Sequence, residues 1–558
     1  MALKITQAIV ENMTKPSANN TVDKQLSHPV SEATCTVNNA DDLILTIDNG
    51  TQSVRALLFN LNGDLVAKSR VELEAYFSNN PGWAEQNADY FWQMLGKCCQ
   101  QLWQQKEVLE NGYRERITAV TVTTQRGTVI NLGKDGKPLR PAILWLDQRL
   151  CQQNKAMPWY WRMAFAAIGQ TKVIDYFRRK SQANWLEQNE PKVWQNTDKF
   201  LLLSGFFTYK LTGQFKDSIG SIVGYLPFDY KKQNWAGRWD WKWLALPVKR
   251  SMLPTLVKPG EILGTITEQA AQETGLKLGT KLIASASDKA CEVLGSGCIS
   301  PDTASLSYGT TATINTNNAK YVEPQAFIPP YPSAIPDNFN AEVMIYRGFW
   351  MVNWFKQEFG QNEIEKAQTL GVSAESLFDQ LVAQVPPGSM GLMLQPYWSP
   401  GLKNLEAKGA IIGFGDVHTR AHIYRSILEG LAYALREGKE TLEKRQKCKI
   451  TRLIVSGGGS QSDAALQLTA DIFNLPAHRP HTFETSGLGA AINAAVGSGY
   501  FDNYQQAIDA MTRIEQSFIP NKENVKLYNK LYRQVYRKMY KQLKPIYQEI
   551  KNITGYPE

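Results

Sequence analysis

The segment "LILTIDNGTQSVRALLFNLNGDLV", Leu43–Val66, contains three candidate β-strands separated by two turns. "LILTID" and "SVRALLFN" are rich in the apolar and β-branched residues that favour strands. Asn62 and Gly63 form a strong hairpin signal into "DLVAKSRVEL". Asp48 ends the first strand and is followed at once by Asn-Gly-Thr. The segment therefore predicts a meander of three strands, with a carboxylate beside its first turn.

Strands and helices alternate on both sides of this segment. A helix is predicted from about Ala88, "ADYFWQMLGKCCQQLWQQ", and "ITAVTVTT" then predicts a buried strand. Thr303–Thr316, "TASLSYGTTATINT", repeats the opening pattern of strand, Gly-Thr turn and strand about 260 residues later. "RLIVSGGGSQSDAALQLTADIF" predicts a strand, three glycines and a helix. The fold class is therefore α/β, with two related domains.

A chain of 558 residues is too long for one hydrophobic core. Residues 1–41 are polar and lack periodicity, which predicts a loose extension. The two domains are predicted to span 42–297 and 298–558. The second ends in an amphipathic helix, "VKLYNKLYRQVYRKMYKQL", whose apolar stripe is predicted to be Leu527, Leu531, Val535 and Met539.

The formal net charge of +9 is concentrated at the end of the chain. Asn521–Glu558 holds nine Lys and Arg against three Asp and Glu, which is six of the nine excess charges. A C-terminal helix docked on the body, with a basic face exposed to solvent, explains this excess charge. Nucleic-acid binding and membrane binding are the two alternatives. No apolar run is long enough for a membrane span, and no signal-peptide pattern is present.

The cysteines, histidines and tryptophans bear on redox state, metal binding and sugar binding, in that order. Seven cysteines without a CxxC pair suit reduced thiols in the cytoplasm. His418 and His422 are four residues apart but lack further obvious metal ligands. The region 158–245 holds eight tryptophans, which are predicted mainly to pack, although rings of this kind also form walls of sugar pockets.

The two Gly-Thr turns are candidate phosphate sites, because glycine permits close backbone approach and turn N–H groups bind anions. Either turn could also be only a tight turn. Asp48 beside a phosphate would require a cation, and Mg²⁺ is held through one or two carboxylates together with phosphates. Neither GxxxxGK[ST] nor GxGxxG occurs. Gly457, Gly458 and Gly459 instead suit close approach to a base or a ribose.

Asp288 follows the apolar strand and small residues "KLIASAS". A carboxylate at a strand end can accept a hydroxyl proton. It can equally be a plain helix N-cap, and the motif by itself leaves both interpretations open.

Taken together, the segments resemble the FGGY family of carbohydrate kinases in the actin/hexokinase/Hsp70 superfamily. The resemblance covers about Leu43–Tyr547. It rests on ordered motifs: "IDNGTQSVRALLF", "TQRG", "ILWLDQR", "SDKACEVLGSG", "SYGTTATI", "GAIIGFGDVHTRAHIYRSILEG" and "SGGGSQSDAALQLTADIF". It implies two actin-like, ribonuclease H-like domains that flank a catalytic cleft. The implied reaction is ATP-dependent phosphorylation of a hydroxyl of a small sugar or polyol.

The resemblance also implies residue roles. Asp288 matches the general base, and Asp48 matches the ligand of Mg²⁺. The residues that match sugar-contacting positions are Gln125, Arg126, Trp145 and Asp147. The residues that match ATP-binding positions are Thr51, Gln52 and Arg55 on the first hairpin, Gly309 and Thr310 on the second, and Gly457, Gly458 and Gln461 in the adenine–ribose pocket.

Three positions depart from the family pattern. Gly127 follows Arg126 where glycerol kinases typically have glutamate, and xylulokinases typically have Met-His after the glutamine. Gln182 stands where the family pattern has a lysine. Phe414 stands where an aliphatic residue is usual. Asp147 in "WLDQR" resembles the ketose and polyol kinases, which favours an acceptor of five to seven carbons. The alternatives are a glycerol kinase and a nucleotide-binding regulatory protein of the same fold; a chaperone-type ATPase would leave "ILWLDQR" without a role. Homo-oligomerisation stays open.

Overall fold

The computed structural model describes residues 41–152, 157–326, 328–372, 374–398 and 406–556. The extension predicted for residues 1–41 lies outside the described residues, apart from Asp41.

The strands alternate with helices along the whole described chain. In chain order the strands are β1 Leu43–Asn49, β2 Ser53–Asn60, β3 Leu65–Glu72, β4 Glu85–Gln86, β5 Ile117–Thr124, β6 Val129–Leu132, β7 Ala142–Ile143, β8 Lys199–Leu202, β9 Lys216–Ser218, β10 Phe228–Asp229, β11 Asn234–Trp235, β12 Thr255–Val257, β13 Ile262–Thr265, β14 Lys281–Ile283, β15 Thr303–Tyr308, β16 Ala312–Asn318, β17 Tyr331–Pro332, β18 Phe339–Ile345, β19 Met393–Gln395, β20 Ala410–Ile412, β21 Arg452–Ser456, β22 Ala477–Pro480 and β23 Ile514–Phe518.

The α-helices are α1 Ala88–Trp103, α2 Lys106–Glu110, α3 Trp159–Ala167, α4 Thr171–Lys180, α5 Gln182–Asn189, α6 Pro191–Asn196, α7 Leu203–Thr212, α8 Lys242–Ala245, α9 Glu268–Thr274, α10 Asp288–Gly295, α11 Trp350–Phe359, α12 Gln361–Leu370, α13 Ala374–Ala383, α14 Arg420–Gln446, α15 Asp463–Phe473, α16 Thr485–Gly497, α17 Tyr504–Met511, α18 Lys522–Leu531 and α19 Arg537–Thr554. Among the described helices, none is both long and apolar enough to cross a membrane.

Two large sheets share the spatial arrangement of five strands and differ in their edges, because β13 precedes β14 in the chain whereas β23 follows β22, and β17 is added to the second sheet. The first has the order β13-β14-β5-β1-β2-β3 and the second the order β17-β18-β16-β15-β21-β22-β23. In each, an antiparallel meander (β1, β2, β3; β15, β16, β18) is followed by two parallel strands (β5, β14; β21, β22) and an antiparallel edge strand (β13; β23). The repeated Gly-Thr hairpin therefore marks a repeat of this five-stranded arrangement, which confirms the predicted fold class.

The two halves of the sequence share a core. Helix α16 of the second half packs behind the first sheet, where Leu488 joins Ile44 and Ala119 in one buried cluster. It also crosses α10 so closely that a Cβ at Gly295 would lie 2.0 Å from the carbonyl oxygen of Thr485. The division predicted between residues 297 and 298 therefore stays a proposal about chain organisation.

The C-terminal helix docks through a different stripe from the one predicted. Leu527 and Val535 are exposed, at 39% and 36%, whereas the buried stripe consists of Tyr528, Tyr532 and Tyr536. A π-helical turn at Tyr532–Tyr536 and ring contacts with the buried Tyr433 hold these tyrosines inward. The prediction was wrong at Leu527 and Val535, because large aromatic rings bury more apolar area than the aliphatic residues beside them. Of the predicted stripe, Met539 is buried and Leu531 is partly buried.

The tryptophan-rich region packs as predicted for part of its members. Trp185, Trp194 and Trp235 are buried in one hydrophobic cluster. Trp159 and Trp239 are 71% and 84% exposed. Packing therefore accounts for the former three and not for the latter two.

Stability is expected to depend on the buried Asp217 of β9. Its carboxylate accepts hydrogen bonds of 2.8 Å from Ser204 Oγ and from the backbone of Ser218. Burial nevertheless raises its pKa from 3.8 to about 7. The native state then binds the proton more tightly than the unfolded chain, so this contribution to stability is full below about pH 4 and is lost as the pH rises through about 7.

Between pH 5 and pH 7.5 the free energy of unfolding of the wild type is expected to fall as Asp217 loses its proton. We expect this fall to be smaller in Asp217→Asn, by about 1–3 kcal/mol. Urea unfolding at several pH values measures this. Asp509→Asn, on the exposed face of α17, is the control. Parallel pH profiles for the wild type and Asp217→Asn would contradict the assignment.

Candidate active site

The carboxyl ends of three neighbouring parallel strands, β1, β5 and β14, meet at one edge of the first sheet. Asp48 pairs in register with Thr123, and Thr124 forms a bridge with Ser287. Thr123 Oγ1 also donates a hydrogen bond of 2.9 Å to the carbonyl oxygen of Ala286. The segments that follow these strands, with Arg126 and Asp288, therefore leave the sheet side by side. Ligands of open α/β sheets bind at such edges.

Asp48 is buried and paired. Its Oδ2 lies 3.1 Å from Arg55 Nη1, and the same nitrogen lies 3.4 Å from Glu484 Oε2. The pKa of Asp48 is raised to about 6 because burial disfavours the charged form; Arg55 opposes the shift, and Asp288 and Glu484 add to it. Asp48 and Asp288 are therefore close enough to repel each other.

Asp288 is the first residue of α10, and the N-cap position belongs to Ser287. The interpretation of Asp288 as the N-cap is therefore wrong. Its Oδ1 accepts a hydrogen bond of 2.7 Å from the backbone of Lys289. Burial raises the pKa of the carboxyl, and the nearby charges of Arg126 and Lys289 limit the rise. A half-buried carboxylate with a raised pKa at the ligand edge of the sheet has the character of a general base.

Lys289, together with Glu292, connects α10 to β15 and β21. These are the strands that precede the Gly-Thr turn of the second hairpin and the glycine run. Its Nζ donates hydrogen bonds of 2.7 Å to Glu292 Oε2 and to Ser307 Oγ. Glu292 Oε1 accepts one of 2.7 Å from Ser456 Oγ. Ser307 stands two residues before Gly309, and Ser456 directly precedes Gly457. The structure thus brings the second hairpin and the glycine run to the amino end of α10.

The tip of the first hairpin joins the predicted sugar residues. Trp145 Nε1 donates a hydrogen bond of 2.9 Å to Thr51 Oγ1, which donates one of 2.9 Å to Gln125 Oε1. The Nε2 atom of Gln125 and the Oδ1 atom of Asn49 are buried and have no hydrogen-bond partner within the described residues. Gln52 is exposed at the tip. Gln125 and Asn49 therefore retain unused hydrogen-bonding capacity beside the tip of the first hairpin.

Arg126 is clamped from the opposite sheet. Its Nη2 lies 3.1 Å and 3.2 Å from the two carboxylate oxygens of Glu342 on β18. Its guanidinium carbon lies 5.0 Å from the ring centre of Tyr331. Burial disfavours the charge, but the surrounding anionic groups, Glu342 first among them, hold the pKa of Arg126 above its ordinary value. The predicted sugar residue thus belongs to an ion pair between the two sheets.

Asp147 occupies an internal ion-pair network. Its oxygens lie 2.8 Å from Arg149 Nε and 2.7 Å from Arg149 Nη2, and Oδ2 also accepts 2.7 Å from the backbone of Ala84. Arg149 continues to Glu85 at 2.7 Å. These contacts assign Asp147 to holding the loop that carries Trp145. A direct sugar contact by Asp147 stays a prediction.

Gly127 is explained by its backbone. Its φ of +70° lies in the left-handed region, and a Cβ there would lie 3.6 Å from the Cβ of Trp145. A glutamate at this position would be strained. The left-handed backbone after Arg126 therefore explains why glycine, and not the glutamate of glycerol kinases, stands at this position.

The glycine run serves packing at two of its three positions. Gly457 has φ +81°, and a Cβ there would lie 3.0 Å from the backbone of Tyr308. A Cβ at Gly459 would lie 2.4 Å from the ring of Phe349, whereas Gly458 faces open space. Gln461 is exposed at the end of the same short turn. Gly458 and Gln461 are thus the accessible members of the predicted adenine–ribose set.

Sequence reasoning missed Glu342 and Glu484. Glu342 has a detectable signal, because it is the one charged residue of the strand "FNAEVMI". Glu484 has none, because it precedes a helix in an ordinary polar stretch, "HTFET".

The residues around Asp48 fit Mg²⁺ in one binding mode. Within the described residues, no group of three or more His, Cys, Asp or Glu side chains could hold a metal ion. Mg²⁺ commonly uses one or two carboxylates and completes its shell with water and substrate phosphates. Asp48, with Asp288 close by, matches that mode, and a cation would relieve the repulsion between them.

Two family models match the chain. The N-terminal domain of the FGGY family of carbohydrate kinases matches residues 43–295, and the C-terminal domain of that family matches residues 304–498. An uncharacterized sugar kinase of Escherichia coli K12 is 31% identical over 87% of this chain and 91% of its own length. A xylulose kinase of Lactococcus lactis is 28% identical over 87% of this chain and 94% of its own length.

Solved structures share the fold. The xylulose kinase of Rhodospirillum rubrum superimposes with a TM-score of 0.75 at 23% identity, covering 91% of this chain and 100% of that one. A Plasmodium falciparum glycerol kinase with ADP gives 0.69 at 19% identity, covering 89% and 98%.

Proposed function

Because this chain belongs to the FGGY family of carbohydrate kinases, we propose that it phosphorylates a hydroxyl of a five- to seven-carbon ketose or polyol, with Asp288 as the general base. The enzyme is a carbohydrate kinase, a phosphotransferase with an alcohol group as acceptor. The observation that carries the role of Asp288 is the meeting of Asp48, Arg126 and Asp288 at one sheet edge, and the size of the acceptor is proposed from the resemblance of "WLDQR" to the ketose and polyol kinases.

The chain's own groups supply three functions. Asp288 accepts the proton of the acceptor hydroxyl as that oxygen attacks the γ-phosphorus of ATP. Arg126 and the unpartnered Gln125 Nε2 orient the acceptor through hydrogen bonds. The tips at Thr51 and at Gly309 and Thr310 present backbone N–H groups to the phosphates.

Asp48 would hold Mg²⁺, whose chemistry is to neutralise charge on the phosphates. Arg55 keeps Asp48 in place at 3.1 Å and compensates its charge in the absence of nucleotide. Gly458 and Gln461 would contact adenine and ribose.

A panel of ketoses, polyols and glycerol, assayed for ADP release from ATP, tests the proposal. We expect turnover with a ketose or polyol of five to seven carbons. Turnover with glycerol alone would make the chain a glycerol kinase. Nucleotide binding without ADP release on any acceptor would favour the regulatory alternative.

We expect Arg126→Ala to raise the KM for the acceptor by about ten- to a hundredfold and to leave the KM for ATP within about threefold. The reason is that the Arg126 guanidinium is proposed to hydrogen-bond the acceptor, whereas ATP is proposed to bind at the two glycine turns. Initial rates with each substrate varied in turn measure the split.

The variant leaves Glu342 buried without a partner, so Arg126→Ala/Glu342→Ala is the control for lost stability. The assignment fails if the acceptor KM is unchanged while the KM for ATP rises.

A further inference from the structure

The pair of Arg126 and Glu342 is part of a seam between segments of the first half of the chain and the hairpin β17–β18 with its connecting loop. Along this seam Gln233 Nε2 donates 2.7 Å to the carbonyl oxygen of Asn338, and Lys258 Nζ lies 2.7 Å from Asp337 Oδ2. The side chains of Lys258 and Asp337 are 46% and 69% exposed.

Arg126 and Glu342 differ from the other ion pair of the seam, Lys258 and Asp337, in burial. Their side chains are 15% and 6% exposed. The acceptor site is thus closed on one side by residues of the second sheet, including the ring of Tyr331 against Arg126.

The two cations that act most strongly on Asp288 are Arg126 and Lys289. Arg126 and Lys289 are each already paired with a carboxylate, Glu342 and Glu292. Asp288 therefore faces no unpaired cation of the described residues that an acidic acceptor could use. A buried carboxylate of the ligand would meet both Asp288 and Glu342, and like charges at close range cost several kcal/mol in an interface.

From this geometry we infer that Glu342 is a positioning and selectivity residue, which holds Arg126 toward the acceptor and rejects acidic sugars in favour of uncharged ones. The inference rests on the proposed function and deepens it by defining the acceptor class as neutral. The mechanism of selection is repulsion by Glu342 together with neutralisation of Arg126, which could otherwise bind a carboxylate.

Glu342→Gln tests the inference because it removes the charge and preserves the shape. The probes are three matched pairs, ribitol and ribonate, xylitol and xylonate, and D-glucitol and D-gluconate. We expect the ratio of kcat/KM for acid over neutral acceptor to rise about tenfold or more in Glu342→Gln. Glu342→Asp, which restores the charge, is expected to return the ratio toward the wild-type value.

Lys258→Gln is the matched control, because it breaks another ion pair of the same seam away from Arg126. It is expected to leave the ratio unchanged. An unchanged ratio in folded Glu342→Gln, an equal rise in Lys258→Gln, or a wild-type preference for the acids overturns the inference.

Failure of the proposed function and failure of the inference about Glu342 give different results. If the wild type phosphorylates no acceptor, calorimetric titration with the same matched pairs measures the selectivity directly. Tighter binding of the neutral member, reversed or reduced in Glu342→Gln, supports the inference even then. Equal binding of both members in both proteins overturns it.

Discussion

Asp288→Asn is expected to lower sugar phosphorylation by about two to four orders of magnitude, the usual contribution of a general base. A sugar hydroxyl is a poor nucleophile while it is protonated. The amide of the variant would preserve the side-chain shape and the acceptor for the Lys289 N–H, which lies 2.7 Å from Oδ1. Only the ability to take a proton is lost, so folding and nucleotide binding are expected to persist.

The pH dependence of the wild type adds an independent measurement. Burial raises the pKa of Asp288 above the ordinary 3.8 of an aspartate. The base must be deprotonated to work, so kcat/KM for the acceptor is expected to rise with pH, with its rising limb displaced upward from that of an exposed carboxyl. In Asp288→Asn this limb is expected to disappear from the residual rate.

Glu268→Gln is the matched control, because Glu268 is the first residue of the exposed helix α9 and the change also converts an acid to its amide. Full activity is expected. Full activity in a folded Asp288→Asn enzyme would remove the central group of the mechanism, and equal losses in both variants would assign the effect to helix stability.

Local patterns were sufficient to predict much of the fold. "ITAVTVTT" forms β5 over Ile117–Thr124, and α1 begins at Ala88 as its pattern indicates. Both Gly-Thr hairpins form because turn residues and strand periodicity act over a few residues. Their repetition predicted two related sheets.

Long-range pairing was not predictable from such patterns. Arg126 and Glu342 are 216 positions apart, and their contact depends on how two sheets face each other. The N-cap alternative for Asp288 was wrong by one position, because the N-cap is Ser287. The first residue of a helix depends on backbone geometry, which residue spacing does not resolve. Asp147 matched a sugar-contacting position, yet its carboxylate is engaged by Arg149 and the backbone of Ala84. Motifs thus located the site but did not separate ligand contacts from internal supports.

Asp48→Asn is expected to lower turnover by about two to three orders of magnitude at saturating acceptor, the usual cost of losing one charged group that stabilises the transition state. The amide keeps the size of the carboxylate and lacks the charge that binds Mg²⁺. Arg55 keeps Glu484 at 3.4 Å as a partner, so the fold is expected to remain intact. Steady-state rates over a series of Mg²⁺ concentrations measure the loss, and circular dichroism reports on folding.

Asp64→Asn is the matched control for Asp48→Asn, because Asp64 is also an acid that pairs with an arginine at a turn of the same meander, here Arg513. It lies at the other hairpin, beside Gly63, and normal turnover is expected. The Mg²⁺ series separates two explanations of a slow Asp48→Asn enzyme. If Asp48 holds the cation, the variant requires far more Mg²⁺ than the wild type or stays slow at any concentration. If Asp48 only orients Arg55, the Mg²⁺ dependence is unchanged and Glu484→Gln slows turnover equally. Near-normal turnover of folded Asp48→Asn at saturating Mg²⁺ would remove Asp48 from the metal site.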